Sequence, residues 1–325
     1  MCFSNHVARD ILRLVINSIF LIIILLTLYF SIAQFVKEVP NDIVLCNYGP
    51  KNNELVKSRR LPKNVQPHTY FLSYVFDENM ETYKASTDIN LTIVAPTQTI
   101  VFHSDNHKVI SMTLNRNQEF ESNTRNTEIS EICYIKETQM MIVRLSREMA
   151  VGEQATLSIM FQGIVSGSLN GIYSSVYVSK TNETKKIIST QFQPDFARTA
   201  FPCFDEPSFK AVFFIKLSFP KTYKALSNAA TLKQVRDFLT KDLINNTTLS
   251  VEFKPTVRMS SYLVAFAIHD FDSISASTKS GIKVNVWLPR DSIEHGKFAA
   301  ELAPKVLETF EMLFNIPYQL EKLGL

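Results

Sequence analysis

In run after run between residues 61 and 272, apolar residues recur at every second position. Ile89, Leu91 and Ile93 alternate with Asn90 and Thr92, and Leu157, Ile159 and Phe161 repeat the pattern. It returns in Phe213, Ile215, Leu217 and Phe219, and again in Leu249, Val251 and Phe253. A period of two puts alternate side chains on opposite faces of an extended chain, so these runs read as strands with one buried face. Turn residues separate the runs, and none has the 3.6-residue period of an amphipathic helix. The combination excludes an alternating β-α-β layout and predicts a mainly β domain, an antiparallel sandwich or saddle over residues 61–272. Residues 262–268 are more continuously apolar, which predicts a strand buried on both faces.

After residue 272 the pattern changes. Val284, Val286 and Leu288 alternate until Pro289 stops them, and then Phe298, Leu302, Val306, Phe310 and Leu313 follow at helical spacing. Leu307 and Phe314 widen that stripe, which predicts a helix of roughly 18 residues whose apolar face the short second domain leaves uncovered. A strand followed by a helix marks the start of a second domain, residues 273–325. Fewer than about sixty residues are too few to bury an independent core.

The largest compositional break lies near the start. Residues 14–36 carry no formal charge and are bracketed by Arg13 and Lys37. As a helix this stretch spans roughly 34 Å, against a bilayer hydrocarbon core of about 30 Å. A cleavable signal peptide would have an apolar region of about 7–15 residues, so the reading is an uncleaved signal-anchor through the lipid bilayer, with residues 1–13 as a cytoplasmic tail. Residues 37–60, polar and broken by Pro40, Gly49 and Pro50, read as a stalk. The flanking charges do not orient the span. The glycosylation signals do: Asn90, Asn182, Asn245 and Asn246 each head an Asn-x-Thr tripeptide, and all follow the span. The expectation is a single-pass type II glycoprotein of the plasma membrane with an extracellular ectodomain.

Four cysteines fit that placement. Cys2 is on the tail, while Cys46, Cys133 and Cys203 fall in the oxidising compartment. Three thiols allow one bridge, with the pairing open, and Cys203 between Phe201 and Phe204 reads as a buried small hydrophobe. A formal net charge of +3, without a basic block interleaved with aromatics, excludes a nucleic-acid partner.

Residues 187–207 read Ile-Ile-Ser-Thr-Gln-Phe-Gln-Pro-Asp-Phe-Ala-Arg-Thr-Ala-Phe-Pro-Cys-Phe-Asp-Glu-Pro. This run resembles the substrate-side signature of the zinc aminopeptidases of the aminopeptidase N type. Arg60-Leu61-Pro62, Gly171-Ile172-Tyr173, Asp205-Glu206-Pro207, Ala225-Leu226-Ser227-Asn228, Met259-Ser260-Ser261-Tyr262 and Phe314-Asn315-Ile316-Pro317-Tyr318 are similar to that family in the same order. The resemblance implies an N-terminal β saddle, a single N-terminal anchor helix, and a peptidase domain of which residues 273–325 are the beginning. It implies peptide substrates with a free N-terminus, zinc as cofactor, and allows a homodimer.

In the family, the Gln of Thr-Gln-Phe lines the pocket for the substrate's first side chain, and the acid two residues later binds its α-amino group. Those positions are Gln191 and Gln193 here. The second has lost its charge, which weakens amine recognition by about 1–2 kcal/mol, roughly tenfold in affinity. The family's Thr-Asp-Ala-Arg-Arg stands here as Asp195-Phe196-Ala197-Arg198-Thr199, and its Pro-Lys-Leu-Asp as Glu321-Lys322-Leu323-Gly324.

Zinc hydrolysis by this route needs H-E-x-x-H on a helix and a third carboxylate. No such motif occurs in the 325 residues, nor the family's Gly-Ala-Met-Glu-Asn loop. Only His103 and His107 have i,i+4 spacing, and in an extended segment that leaves them about 13 Å apart, so they read as surface or loop histidines. No zinc ligand and no catalytic residue is assigned. The chain is expected to be the front part of a membrane-bound metalloaminopeptidase, a fragment inactive alone. The rival reading is a non-catalytic, membrane-tethered peptide-binding or receptor β-domain.

Overall fold

The computed structural model describes residues 43–46, 55, 57–116, 129–236 and 248–325. The tail, the signal-anchor 14–36, most of the stalk, Asn245 and Asn246 lie outside the described residues. Among the described residues no helix is long and apolar enough to cross a membrane.

Numbering strands in chain order, the largest sheet holds seven. Its order is β13 (Thr231–Arg236), β14 (Thr248–Phe253), β11 (Val212–Pro220), β2 (Val65–Phe76), β3 (Thr82–Ile93), β8 (Gln154–Ile164) and β5 (Lys108–Arg116). The alternation read from sequence is realised: Ile89, Leu91 and Ile93, Leu157, Ile159 and Phe161, and Phe213 to Phe219 all bury their apolar set. Neighbours pair antiparallel except β2 with β11, which run parallel, Tyr70 opposite Phe213. A second sheet runs β1 (Val44–Leu45), β6 (Ile129–Ile135), β7 (Met140–Met149), β4 (Thr97–His103). Its short first strand is tied to the next by a disulfide between Cys46 and Cys133. Cys203 is free and buried, the packing role expected of it. The third sheet runs β12 (Lys224–Ser227), β15 (Phe266–His269), β10 (Thr184–Gln191), β9 (Gly171–Val178).

Tyr70, Tyr74, Tyr83, Phe161, Phe201, Phe213 and Phe266 fill the core. Each fully buried aromatic contributes on the order of 1.5–3 kcal/mol, provided its hydroxyl, where it has one, finds a partner. All three tyrosines turn theirs to one segment. Tyr74 and Tyr83 donate to the carbonyl of Ala200 at 3.3 Å, and Tyr70 Oη accepts from the Phe204 amide at 3.1 Å. The core thereby holds residues 200–204 from beneath.

One sequence expectation is corrected. Residues 262–268 are not one buried strand: Ser261–Leu263 is a 3-10 turn, only Phe266–His269 is extended, and Leu263 is exposed. The hydroxyls cause this, because Ser261 donates to Asp205 at 2.6 Å and Ser260 to the Pro207 carbonyl at 2.8 Å, diverting the chain from the ladder. The helix α1 (Lys297–Phe314) forms as predicted, ending at Asn315 in the left-handed conformation with φ 52°. Its buried residues are Ala300, Pro304 and Leu307, while Phe298, Leu302, Phe310, Leu313 and Phe314 are exposed, the uncovered apolar face expected of it. The three-stranded sheet beneath it, β16 (Asp272–Ser277), β17 (Lys283–Leu288), β18 (Lys322–Gly324), reaches only the small-residue ridge.

Candidate functional site

Strand β10 runs antiparallel to β9 until Gln191 faces Gly171, and there the chain leaves the sheet. Phe192 turns into the core while Gln191 and Gln193 stay exposed. The Gln191 amide donates to the Gln193 carbonyl at 3.2 Å, and the Gln193–Pro194 peptide is cis. The two candidate glutamines are thus brought together at the open end of β10, uncharged and facing solvent.

The loop that carries them is anchored by a buried charge pair. Arg198 closes its short 3-10 turn, Ala197–Thr199. Its Nε donates to Asp205 Oδ2 at 3.0 Å, its Nη2 to the Asp205 carbonyl and its Nη1 to Gln139 Oε1, each at 3.2 Å. The Arg198 backbone amide also donates to Asp205 Oδ2, and Ser261 Oγ donates to Oδ1, so the carboxylate accepts from two further directions. Gln139 passes the network on by donating to Asp105 at 2.8 Å. Partial burial, with the Asp105 carboxylate adding to it, pushes the Tyr134 phenol up to about 12. A second set of bonds stitches residues 103–107 to the loop. His103 and Cys203 exchange backbone hydrogen bonds, and the Asp105 amide donates to the Arg198 carbonyl at 2.9 Å. His107 Nε2–H donates to the Thr199 carbonyl at 3.1 Å, leaving Nδ1 to accept from Ser104 Oγ at 3.0 Å.

His103 is therefore buried and His107 half-buried within this network, not surface residues as their spacing suggested. They do not fit zinc. Hydrogen bonds occupy both ring nitrogens of His107, and His103 lies beside the Arg198 guanidinium, which repels a cation. Among the described residues no group of three or more His, Cys, Asp or Glu is placed to hold a metal.

A cleft of about 450 Å³ opens beside this loop, lined by Tyr173, Thr190, Phe266, His269, Trp287 and Lys322 among others. Neither glutamine lines it. Lys322 reaches across to the Ser227 carbonyl, and burial lowers its pKa.

Gly171 permits the close approach of β9 to the loop. It has φ +69°, and a Cβ there would lie 2.3 Å from Thr199 Oγ1, a hydroxyl that donates to the Phe196 carbonyl at 2.8 Å. Gly171→Ala is expected to lower the unfolding free energy by about 1–3 kcal/mol, since strain at positive φ adds to the displaced hydroxyl. Urea denaturation followed by circular dichroism measures it, and an unchanged midpoint would refute the steric account.

Sequence reasoning recognised Asp205 only as part of a motif block and gave Arg198, Gln139 and Ser261 no role. A usable signal was present: an Arg and an Asp flanking the apolar run Phe201-Pro202-Cys203-Phe204 are both drawn inside, and buried opposite charges require each other.

Comparison with known proteins agrees with this geometry. The Peptidase M1 N-terminal domain matches residues 66–263. The chain is 37% identical over 264 residues to Endoplasmic reticulum aminopeptidase 1 of Homo sapiens, an alignment covering 81% of this chain and 27% of that protein. It is 34% identical over 268 residues to Aminopeptidase M1-A of Oryza sativa subsp. japonica, covering 82% and 29%. With Glutamyl aminopeptidase of Sus scrofa it shares 29% identity over 287 residues, covering 87% and 29%. The chain spans a little more than a quarter of the length of these relatives. By the match of its β-domain, it belongs to the M1 family of aminopeptidases.

Proposed function

We propose that this chain provides the substrate-side wall of a membrane-bound zinc aminopeptidase, binding the free amino terminus of a peptide at Gln191 and Gln193. The observation that carries the reading is the pair of exposed glutamines held at the end of β10 by the Arg198–Asp205 network. An amide oxygen accepts from an ammonium, and a loop fixed beforehand loses little entropy on binding. The names of the relatives support removal of N-terminal residues from peptides. The Cys46–Cys133 bridge supports an ectodomain in an oxidising compartment, residues 61–272 being the β-domain and 273–325 the first part of a peptidase domain. The anchor 14–36 would hold it as a type II protein at the plasma membrane. His103 and His107 do not fit zinc, which supports a binding role for the described residues and keeps the peptide-binding receptor reading as the second one.

The test uses the 325-residue chain. It should contain no stoichiometric zinc, should not hydrolyse aminoacyl fluorogenic substrates, and should bind a free-amino peptide more tightly than its N-acetylated form. Gln193→Glu should strengthen the free-amino peptide about tenfold at neutral pH by restoring a charge-assisted bond, and leave the acetylated peptide unchanged. Equal affinity for both peptides in calorimetry would remove the amine-binding role. Chelator-sensitive turnover would show a metal site that this reading lacks.

A further inference from the structure

The outer face of the seven-stranded sheet is mostly polar, with Ser73, Ser86, Asp88, Thr156 and Ser158 pointing outward between the buried positions. Apolar residues interrupt it at Val75, at Met160 and at one aromatic pair. Phe71 on β2 and Phe214 on β11 face each other across the parallel pair, their rings stacked with centroids 4.7 Å apart and planes 17° apart. Phe71 is 42% exposed. Cross-strand stacking explains the contact between the rings, but it leaves the outer ring face of Phe71 open to water.

Asn90 is on the same face. It pairs with Thr69 on β2 and Thr156 on β8, so Phe71, two residues along β2, is its diagonal neighbour, about 7–8 Å away between Cα atoms. Thr156 Oγ1 donates to Asn90 Oδ1 at 2.9 Å, which turns the amide oxygen toward β8. Asn90 Nδ2 makes no hydrogen bond among the described residues. Asn90-Leu91-Thr92 is an acceptor tripeptide, and the Cys46–Cys133 bridge belongs to the compartment in which such acceptors are modified.

We propose that Asn90 carries an N-linked glycan whose first N-acetylglucosamine lies on the stacked Phe71–Phe214 pair. This rests on the ectodomain reading above. In the modification a bond forms between Asn90 Nδ2 and the sugar's anomeric carbon. The bond from that carbon to the diphosphate of a polyprenyl-linked oligosaccharide breaks, the lipid diphosphate leaves, and the amide gives up one proton. The C–H face of the sugar then meets the electronegative face of the Phe71 ring. It covers the apolar patch and braces β3, β2 and β11 from outside. Asn182 is an internal control. It occupies an exposed turn with φ 60°, its backbone N–H donating to the Ser179 carbonyl, and its neighbours Ser179, Lys180 and Thr181 offer no aromatic platform.

The full chain is produced in glycosylating cells, and occupancy is read by mass spectrometry. Thermal unfolding is then compared for the intact glycoprotein, for protein trimmed to one sugar per site, and for Asn90→Gln. Losing the whole Asn90 glycan should lower Tm by about 2–4 °C, while trimming to one sugar should preserve it. In Phe71→Ser, and in Phe71→Leu, which keeps apolar bulk without a ring, the glycan should no longer matter. The N-acetyl methyl signal at Asn90 should be shifted upfield by ring current, and should return on Phe71→Leu. An equal Tm loss with and without Phe71, or an unshifted methyl, overturns the stacking. An unmodified Asn90 beside modified Asn182 overturns the inference and leaves the ectodomain reading standing. If no acceptor is modified, both fall.

Discussion

Asp205→Ala should destabilise the domain by about 3–5 kcal/mol, a large part of the 5–15 kcal/mol typical of a folded domain. Asp205 is 5% exposed and Arg198 9%. Without the carboxylate, Arg198 keeps only the Asp205 carbonyl and Gln139 as partners. Ser261 loses its acceptor as well. A buried guanidinium stripped of its counter-charge bears its desolvation cost uncompensated. Replacing both charges with apolar groups of similar volume, Arg198→Met with Asp205→Leu, should recover much of the loss, because no lone charge is then left inside. Urea unfolding of the three variants tests this. A double variant no more stable than Asp205→Ala would show that the packing of the loop, not the charge pair, dominates.

Stability should also fall steeply on mild acidification. Burial lowers His103 to about 3, with the Arg198 charge adding to it. Burial lowers His107 to about 4, opposed by its backbone hydrogen bonds. Burial, then Lys224, lowers His269 to about 4, where its Nδ1 accepts from the Phe271 amide. Unfolded histidine titrates near 6.5. Above that pH all three are neutral in both states and cost nothing. Below it the unfolded chain takes up protons that the folded chain refuses, so stability declines by up to about 1.4 kcal/mol per pH unit for each histidine. For His107 and His269 the decline ends near pH 4, and for His103 near pH 3. With all three acting, the urea midpoint should drop clearly between pH 7 and pH 5. His107→Gln, which can keep a donor and an acceptor, should flatten that slope. A midpoint independent of pH over this range would contradict the buried neutral state.

Apart from His269, the two predictions concern one region. His103, His107, Asp105 and Gln139 hold the loop of Arg198 from one side, and the hydroxyls of Tyr70, Tyr74 and Tyr83 hold residues 200–204 from the core. Acid or a broken charge pair is therefore expected to release the segment presenting Gln191 and Gln193.

What could be read in the residues was what repeats locally. Alternation placed Ile89, Leu157 and Phe213 on buried faces, because a strand's side-chain period is a property of the backbone alone. It misplaced residues 262–268, where Ser260 and Ser261 found acceptors at Pro207 and Asp205, more than fifty residues away in sequence. On α1 the stripe of Phe298, Leu302 and Phe310 stays exposed, since helical spacing records where apolar groups lie but not which neighbour arrives to cover them.

The candidate site divides the same way. The motif around Gln191 and Gln193 was legible from residue order. That Gln191 bonds the carbonyl of Gln193, that Gly171 makes room for Thr199, and that Gln139 serves Arg198 were not. By itself the sequence determined the strand-rich class, the family and the identity of the two exposed glutamines, all of which depend on local period and residue order. The tertiary structure alone decided that Cys46 pairs with Cys133, that Arg198 pairs with Asp205 and that His103, buried, and His107, half-buried, are neutral. Desolvation and hydrogen-bond partners are set by which distant segments the fold brings within about 3 Å of one another, and no local pattern encodes that proximity.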